Sequence, residues 1–210
     1  GLPYAIHPVN IGAGEQFRPE FLAIAPNNRM PAIVDRAPAD GGAPISVFES
    51  GAILMYLAQK TGRFLPADVR GRTTVSEWLF WQTAGLGPMT GQYGHFHVYA
   101  PETIPYARER YAREAQRLLG VLDRRLEGRA FIAGDEYTIA DMACYPWISP
   151  YVKAPLDLEP HANLRRWRES IAARPATSRA YALADEPRFA RPKELTDEQR
   201  RNLFGTPSKP

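Results

Sequence analysis

The chain has 210 residues, of which 44% are hydrophobic, and a formal net charge of +3, enough for a sizeable buried core in one or two domains. The single cysteine, Cys144, excludes an internal disulfide framework and points to a reducing, cytoplasmic setting. No stretch approaches the roughly 18 apolar residues of a membrane helix, and the slight basic excess lacks the clustered face that nucleic-acid binding needs.

From Gly1 to about Gly62 the signals are short and mixed. Residues 4–11 (YAIHPVNI) read as a strand and residues 16–26 (QFRPEFLAIAP) as a short helix. Two apolar runs, MPAIVD and ISVF, bracket the turn-rich APADGGAP and read as a hairpin. Residues 49–62 (ESGAILMYLAQKTG) then carry Ile53, Tyr56 and Leu57 at helical spacing, with Gly62 as a natural stop. Beyond residue 68 the texture becomes helical. TTVSEWLFWQTAGLGPM is one such run. In YARERYAREAQRLLGVLDRRLEG, Tyr111, Ala115, Leu118, Leu122 and Leu126 align on one apolar face. Thr138 followed three residues later by Asp141 is a capping box ahead of an apolar run. NLRRWRESIAARP, the densest basic cluster, reads as an amphipathic helix with solvated arginines. Residues 182–210 form a polar, proline-punctuated tail with one short helix at ELTDEQRRNLF. The resulting layout is a mixed unit over 1–63, a helical unit over 68–181 and a tail over 182–210.

Several residues invite chemistry. Pro31 sits between Met30 and the apolar run Ala32, Ile33, Val34, where a proline belongs only to a strand's first position, an edge or a bulge. It is either an ordinary trans proline at an edge or a cis turn that frees backbone groups for a ligand. Ser50, with Glu49 before it, is either a plain helix cap or an anion site at a helix N-terminus. His95 and His97 would share a side only on a strand, and no further ligand stands nearby, so no metal is expected. Together with Tyr93, Phe96 and Tyr99, in a segment (91–105) read as a loop, they are expected to line or flank a pocket. Cys144, between Ala143 and Tyr145, reads as inert packing, and Trp78, Trp81 and Trp147 as core.

The order and spacing of NNRMPAIVD, FESGAILMYLAQK and YTIADMACYPW resemble the glutathione transferases over nearly the whole chain. GEQFRPEFLAIAPNNRMPAIVD, DGGAPISVFESGAILMYLAQKTG, WLFWQTAGLGPMTGQ and IPYARERY are similar to the bacterial Nu-class members, relatives of the yeast nitrogen-regulating prion protein. The resemblance implies an α/β thioredoxin-like first domain followed by an all-α domain. It implies glutathione as cosubstrate, a small disulfide or electrophile as partner, and a homodimer. It also implies that Pro31 is cis and that the backbone of Met30 pairs with the cysteinyl part of glutathione. Glu49 and Ser50 would hold the γ-glutamyl head, Gln16 the glycyl end, and Arg29 an exposed carboxylate. Arg110 would reach in from the helical domain. The reaction implied is glutathione-dependent disulfide reduction; the alternatives are conjugation to electrophiles and a non-catalytic binding protein that keeps the fold. Family members carry a strand and a helix ahead of the position matched by Gly1, and the residue that activates the thiol is expected there. No catalytic residue is therefore assigned within 1–210.

Overall fold

The turn-rich stretch between two apolar runs closes a hairpin in the computed structural model, which describes residues 1–150, 152–186 and 195–205. Strands β1 (Ala32–Asp35) and β2 (Ile45–Phe48) pair antiparallel, from Ala32↔Phe48 to Asp35↔Ile45. Asp40 accepts the Gly42 amide within the connection, as short polar side chains do in turns. Residues 4–11, expected as a strand, have no regular structure up to Asn10. Their alternating apolar pattern is interrupted by Pro8, which has no N–H to offer a ladder, and among the described residues only β1 and β2 form a named sheet.

The chain next makes two 3₁₀ turns, Ile11–Ala13 and Glu15–Phe17, joined by Gly14 at φ 76°. Asn10 caps the first by accepting the Ala13 amide at 3.1 Å. The helix expected over 16–26 shrinks to α1 (Pro19–Leu22). Proline at its first turn starts it, and the fully buried Ala25 anchors the chain just past its end. Helix α2 (Ser50–Thr61) ends at Gly62, whose φ of 63° ordinary residues avoid.

Helix α3 (Val69–Trp81) is capped by Asp68, which accepts the Gly71 amide at 2.9 Å. The helical run continues through a π turn, Gln82–Leu86, into α4 (Gly87–Gly94). The cause is Pro88: it cannot donate within the helix and its ring crowds the carbonyl four residues back. The wider turn, with the Gly87 amide reaching back to the Gln82 carbonyl, accommodates it. Gly87 is required there, since a Cβ would stand 2.7 Å from Gln82 Nε2 and 3.2 Å from Trp147 Cε2. A second π turn, His95–Tyr99, comes next, so the segment expected as a loop from residue 91 is helical as far as Tyr99.

The long α5 (Pro105–Arg125) buries Ala115, Leu118, Leu119 and Leu122 along one face, and its cap residue Leu126 is fully buried too. Each such leucine contributes about 1.5–3 kcal/mol by leaving water. It packs on α4 and on α7 (Ala162–Ala172), while α6 (Ile139–Cys144) packs on α3. Trp167 of α7 is the fully buried tryptophan, whereas Trp78, Trp81 and Trp147, expected in the core, are half-buried. The indole N–H explains the difference: Trp167 donates to Asp141 at 2.8 Å, so it can be buried without an unpaired donor.

Helix α8 (Pro175–Ala182) leads toward the tail, in which α9 (Asp197–Phe204) forms between a Thr196–Gln199 capping box and Gly205. The parts of the expected tail at 187–194 and 206–210, including Glu194 at the start of its helical stretch, lie outside the described residues. By proximity the chain divides into Gly1–Ile53 with the described part of Ser178–Pro210, and Leu54–Thr177. Helix α9 thus belongs with the first unit, where it packs on the Ile11–Ala13 turn. No helix among the described residues is long and apolar enough to cross a membrane.

Candidate functional site

Hairpin register creates the site. Because the ladder ends at Ala32↔Phe48, the residues just before β1 and just after β2 emerge at the same end. Met30-Pro31 and Glu49-Ser50 are therefore brought together, and Asn27 Nδ2 donates to Glu49 Oε1 at 3.4 Å across the gap. The Met30-Pro31 bond is cis. Met30 is 45% exposed and lies outside the ladder. Its N–H and C=O form no backbone hydrogen bond among the described residues. An extended peptide laid against Met30 would find one donor and one acceptor, the minimal form of strand addition.

Glu49 has φ 67°, a left-handed conformation costing about 1–2 kcal/mol for a residue with a Cβ. Its carbonyl accepts the Ile53 amide at 2.9 Å, so it is the residue on which α2 begins. Strained residues persist where the surroundings hold them in place, and they cluster at ligand clamps. Ser50 is exposed at the first turn of α2. The opening amides of a helix have no intrahelical acceptor and its dipole favours an anion there. A carboxylate at Ser50 with an ammonium at Glu49 describes the head of an α-amino acid.

Sequence reasoning missed the two asparagines behind this corner. Asn28 stands at φ 46° and accepts Arg29 Nη1 at 2.9 Å, while Asn27 holds Glu49. The available signal was the Asn pair itself, since asparagine tolerates the left-handed region better than other residues with a Cβ. Arg29, expected to meet a carboxylate, is exposed and engaged with Asn28. Gln16 is not at the open corner: it is 2% exposed, and its Nε2 donates to the Asn202 carbonyl of α9 at 3.1 Å. Arg110 lies on α5 in the second unit with an exposed side chain.

Tyr93, just ahead of the His95–Tyr99 turn, departs from its expected role. Tyr93 is buried with Ala115 and Ala154, and its hydroxyl donates to the Pro155 carbonyl at 2.6 Å. It is therefore a core residue, and burial raises its phenol above the ordinary value. Phe96 stacks on Tyr111 with ring centres 5.4 Å apart, and the His97 ring lies 5.0 Å from that of Tyr93. His97 Nδ1 is buried without a hydrogen-bond partner among the described residues. The described residues contain no group of three or more His, Cys, Asp or Glu side chains placed to hold a metal.

Cys144 is fully buried in α6, and burial, reinforced by the nearby Asp141 charge, pushes its thiol well above 9.0. Disulfide exchange needs a thiolate, so this sulfur cannot serve near neutrality. The native protein is expected to show no thiol reactive toward a chromogenic aromatic disulfide at pH 8. Cys144→Ala should cost only about 1–2 kcal/mol, as for a small buried group. Since the folded thiol's pKa is raised, its titration contributes stability that is complete below about 9.0 and lost as pH rises further. A thiol that reacted readily in the folded protein would overturn its assignment as packing.

The chain is similar to known families and solved structures. The family model of the glutathione S-transferase N-terminal domain matches residues 1–59, and that of the C-terminal domain residues 105–170. The chain is 54% identical over 183 residues to the disulfide-bond oxidoreductase YfcG of Escherichia coli, covering 87% of this chain and 85% of that protein. It is 43% identical to the disulfide-bond oxidoreductase YghU of the same organism, covering 85% of this chain but 64% of the relative's own length. A glutathione transferase from Burkholderia graminis, solved with two glutathione molecules per subunit, superposes with TM-score 0.83 at 43% identity, over 89% of this chain and 79% of that one. One from Pseudomonas putida, solved with one glutathione disulfide per subunit, gives TM-score 0.80 at 39% identity, over 85% and 80%.

Proposed function

The chain belongs to the glutathione S-transferase family, and from that premise we propose that it binds glutathione and uses it to reduce small disulfides. The observation that carries this reading is the corner where the register of β1 and β2 joins an exposed Met30 backbone to Glu49 and Ser50 at the start of α2. Met30 would pair with the cysteinyl backbone, Ser50 would receive the γ-glutamyl carboxylate and Glu49 its ammonium. Arg29 is a candidate partner for a remaining carboxylate, for which a guanidinium offers two parallel donors.

In the reaction, the glutathione thiolate attacks one sulfur of the disulfide, forming a mixed disulfide and expelling a thiolate that takes up a proton. A second glutathione thiolate attacks the glutathione sulfur of the mixed disulfide, giving glutathione disulfide and the second thiol. Two glutathiones are oxidised and one disulfide is reduced, with no protein sulfur involved. The buried Cys144 is consistent with that division of labour. Support also comes from the two Escherichia coli relatives named as disulfide-bond oxidoreductases, and from neighbours solved with two glutathione molecules or one glutathione disulfide per subunit. The test is turnover of 2-hydroxyethyl disulfide with glutathione, measured beside conjugation of an aryl chloride. Reduction without conjugation is expected, and Cys144→Ala should retain the rate within twofold. Conjugation alone would favour the transferase reading, and neither activity with intact glutathione binding would favour a binding protein.

A homodimer is the accompanying proposal, and the exposed face of α3 supports it. Val69, Thr73, Ser76 and Phe80 recur at helical spacing, with Val69 77% and Phe80 66% exposed. Arg72 and Glu77 flank them around a cavity of about 500 Å³. Exposed apolar stripes rimmed by charge mark interaction surfaces, and a second copy would cover this one. Phe80→Glu is expected to shift the protein from dimer to monomer in sedimentation at micromolar concentration. A parent protein that is monomeric there would refute the pairing.

A further inference from the structure

The tail helix occupies Gln16, the residue that the family resemblance gives to the glycyl end of glutathione. Gln16 Nε2 donates to the Asn202 carbonyl at 3.1 Å, and Asn202 Nδ2 donates to the Gly12 carbonyl at 2.8 Å. Because the Asn202 carbonyl can only accept, it fixes which end of the Gln16 amide faces α9. The other end, Oε1, is buried with no hydrogen-bond partner among the described residues. A Cβ on Gly12 would meet Gln199 Cγ at 3.3 Å, so the glycine is what lets the helix settle this closely.

We propose that α9 is a strap that competes with glutathione for the Gln16 amide, so that binding the ligand and releasing the tail are coupled. The inference rests on the assignment of Gln16 to the glycyl end of glutathione. Two observations point to release rather than permanent docking. No residue of α9 is fully buried, and a helix of this length is marginal by itself, so release exposes no wholly buried side chain. The docked state also leaves the Gln16 carbonyl unsatisfied, which buried polar groups rarely are. The exchange has a chemical direction. The Asn202 carbonyl is one of the last in α9, where intrahelical donors run out, and Gln16 serves as its donor. A glycyl carboxylate offers the same N–H an ionised acceptor, which makes the stronger bond. Nε2 carries a second N–H, but with α9 docked the side chain is 2% exposed, and an incoming carboxylate has no way in to either donor. The two states therefore exclude each other, and coupling of this kind is reciprocal.

The test uses the full chain and calorimetric titration with glutathione. Asn202→Asp replaces the amide that donates to Gly12 with a carboxylate facing a carbonyl, and Thr196→Ala removes the capping box; both leave Gln16 itself and the backbone carbonyl it bonds in place. Both should tighten glutathione binding three- to tenfold, and the gain should vanish when Gln16→Ala is added. Amide exchange over residues 198–204 should accelerate when the parent protein is saturated with glutathione. Unchanged or weaker binding in both tail variants, with exchange unaffected by ligand, would overturn the strap. If Gln16→Ala changes nothing in any background while Glu49→Ala still weakens binding, the assignment of Gln16 fails and the strap with it. If the parent protein binds no glutathione, the functional reading itself fails.

Discussion

Replacing Asp141 with alanine is expected to destabilise the helical unit by about 4 kcal/mol, the sum of several buried donors stripped of their acceptor. One carboxylate satisfies four groups at once. Its Oδ1 accepts the Ile132 amide at 2.9 Å and the Trp167 indole at 2.8 Å, and its Oδ2 accepts the Thr138 amide at 2.9 Å and meets the Thr138 hydroxyl at 3.2 Å. These partners sit on the loop before α6, on the α6 cap and on α7, so a single side chain ties three segments of the unit. Burial pushes the Asp141 carboxyl above its ordinary 3.8 while these hydrogen bonds pull it back. Alanine would leave the three N–H donors without an acceptor in a site with no exposed surface, at about 1–3 kcal/mol each and not additively. Thr138→Ala, which removes one cap hydroxyl, should cost about 1 kcal/mol. For a chain of this size the larger loss corresponds to a melting temperature lower by about 10 °C. Thermal and urea unfolding followed by circular dichroism would measure both. A loss below about 1 kcal/mol for Asp141→Ala would mean that the donors find other acceptors.

How much of this was legible in the sequence depends on the range of each signal. The Thr138–Asp141 box, the hairpin around Asp40 and the stop at Gly62 are written in neighbouring residues, and each forms where it was expected. What Asp141 does for Trp167 was not legible, because the pairing spans 26 positions and leaves no local pattern. The same limit hid the seat of α9. Its capping residues Thr196 and Gln199 can be read along the chain, but its hydrogen bond to Gln16 joins residues 186 apart. Residues 4–11 mislead for the opposite reason: the local alternation suggests a strand, yet a strand exists only with a partner. The two π turns fall between these cases. Pro88 inside a helical run was a visible warning, although not one that specifies the wider turn over a kink. At the candidate site, Pro31, Glu49 and Ser50 were legible as residues, whereas their meeting at one corner is a consequence of the register that Phe48 and Ala32 set.

Glu49→Ala is expected to weaken glutathione binding by about 10- to 100-fold, as loss of a charge-assisted bond worth about 1.5–3 kcal/mol implies. The fold would survive, since the side chain is exposed and its one hydrogen bond among the described residues is the long one from Asn27. Glycine at the same position separates binding from stability. The left-handed φ of 67° strains glutamate but not glycine, so Glu49→Gly should match alanine in lost affinity while holding the fold at least as firmly, by up to about 1 kcal/mol. An exposed residue kept in a strained conformation at a cost to stability is what a ligand clamp requires. A deaminated glutathione, lacking the ammonium that Glu49 is proposed to accept, makes the assignment specific. It should bind the parent protein about as weakly as glutathione binds Glu49→Ala, and removing both partners should cost little more than removing either. Full additivity of the two losses would place the ammonium elsewhere and leave the conformation of Glu49 to be explained by the start of α2 alone.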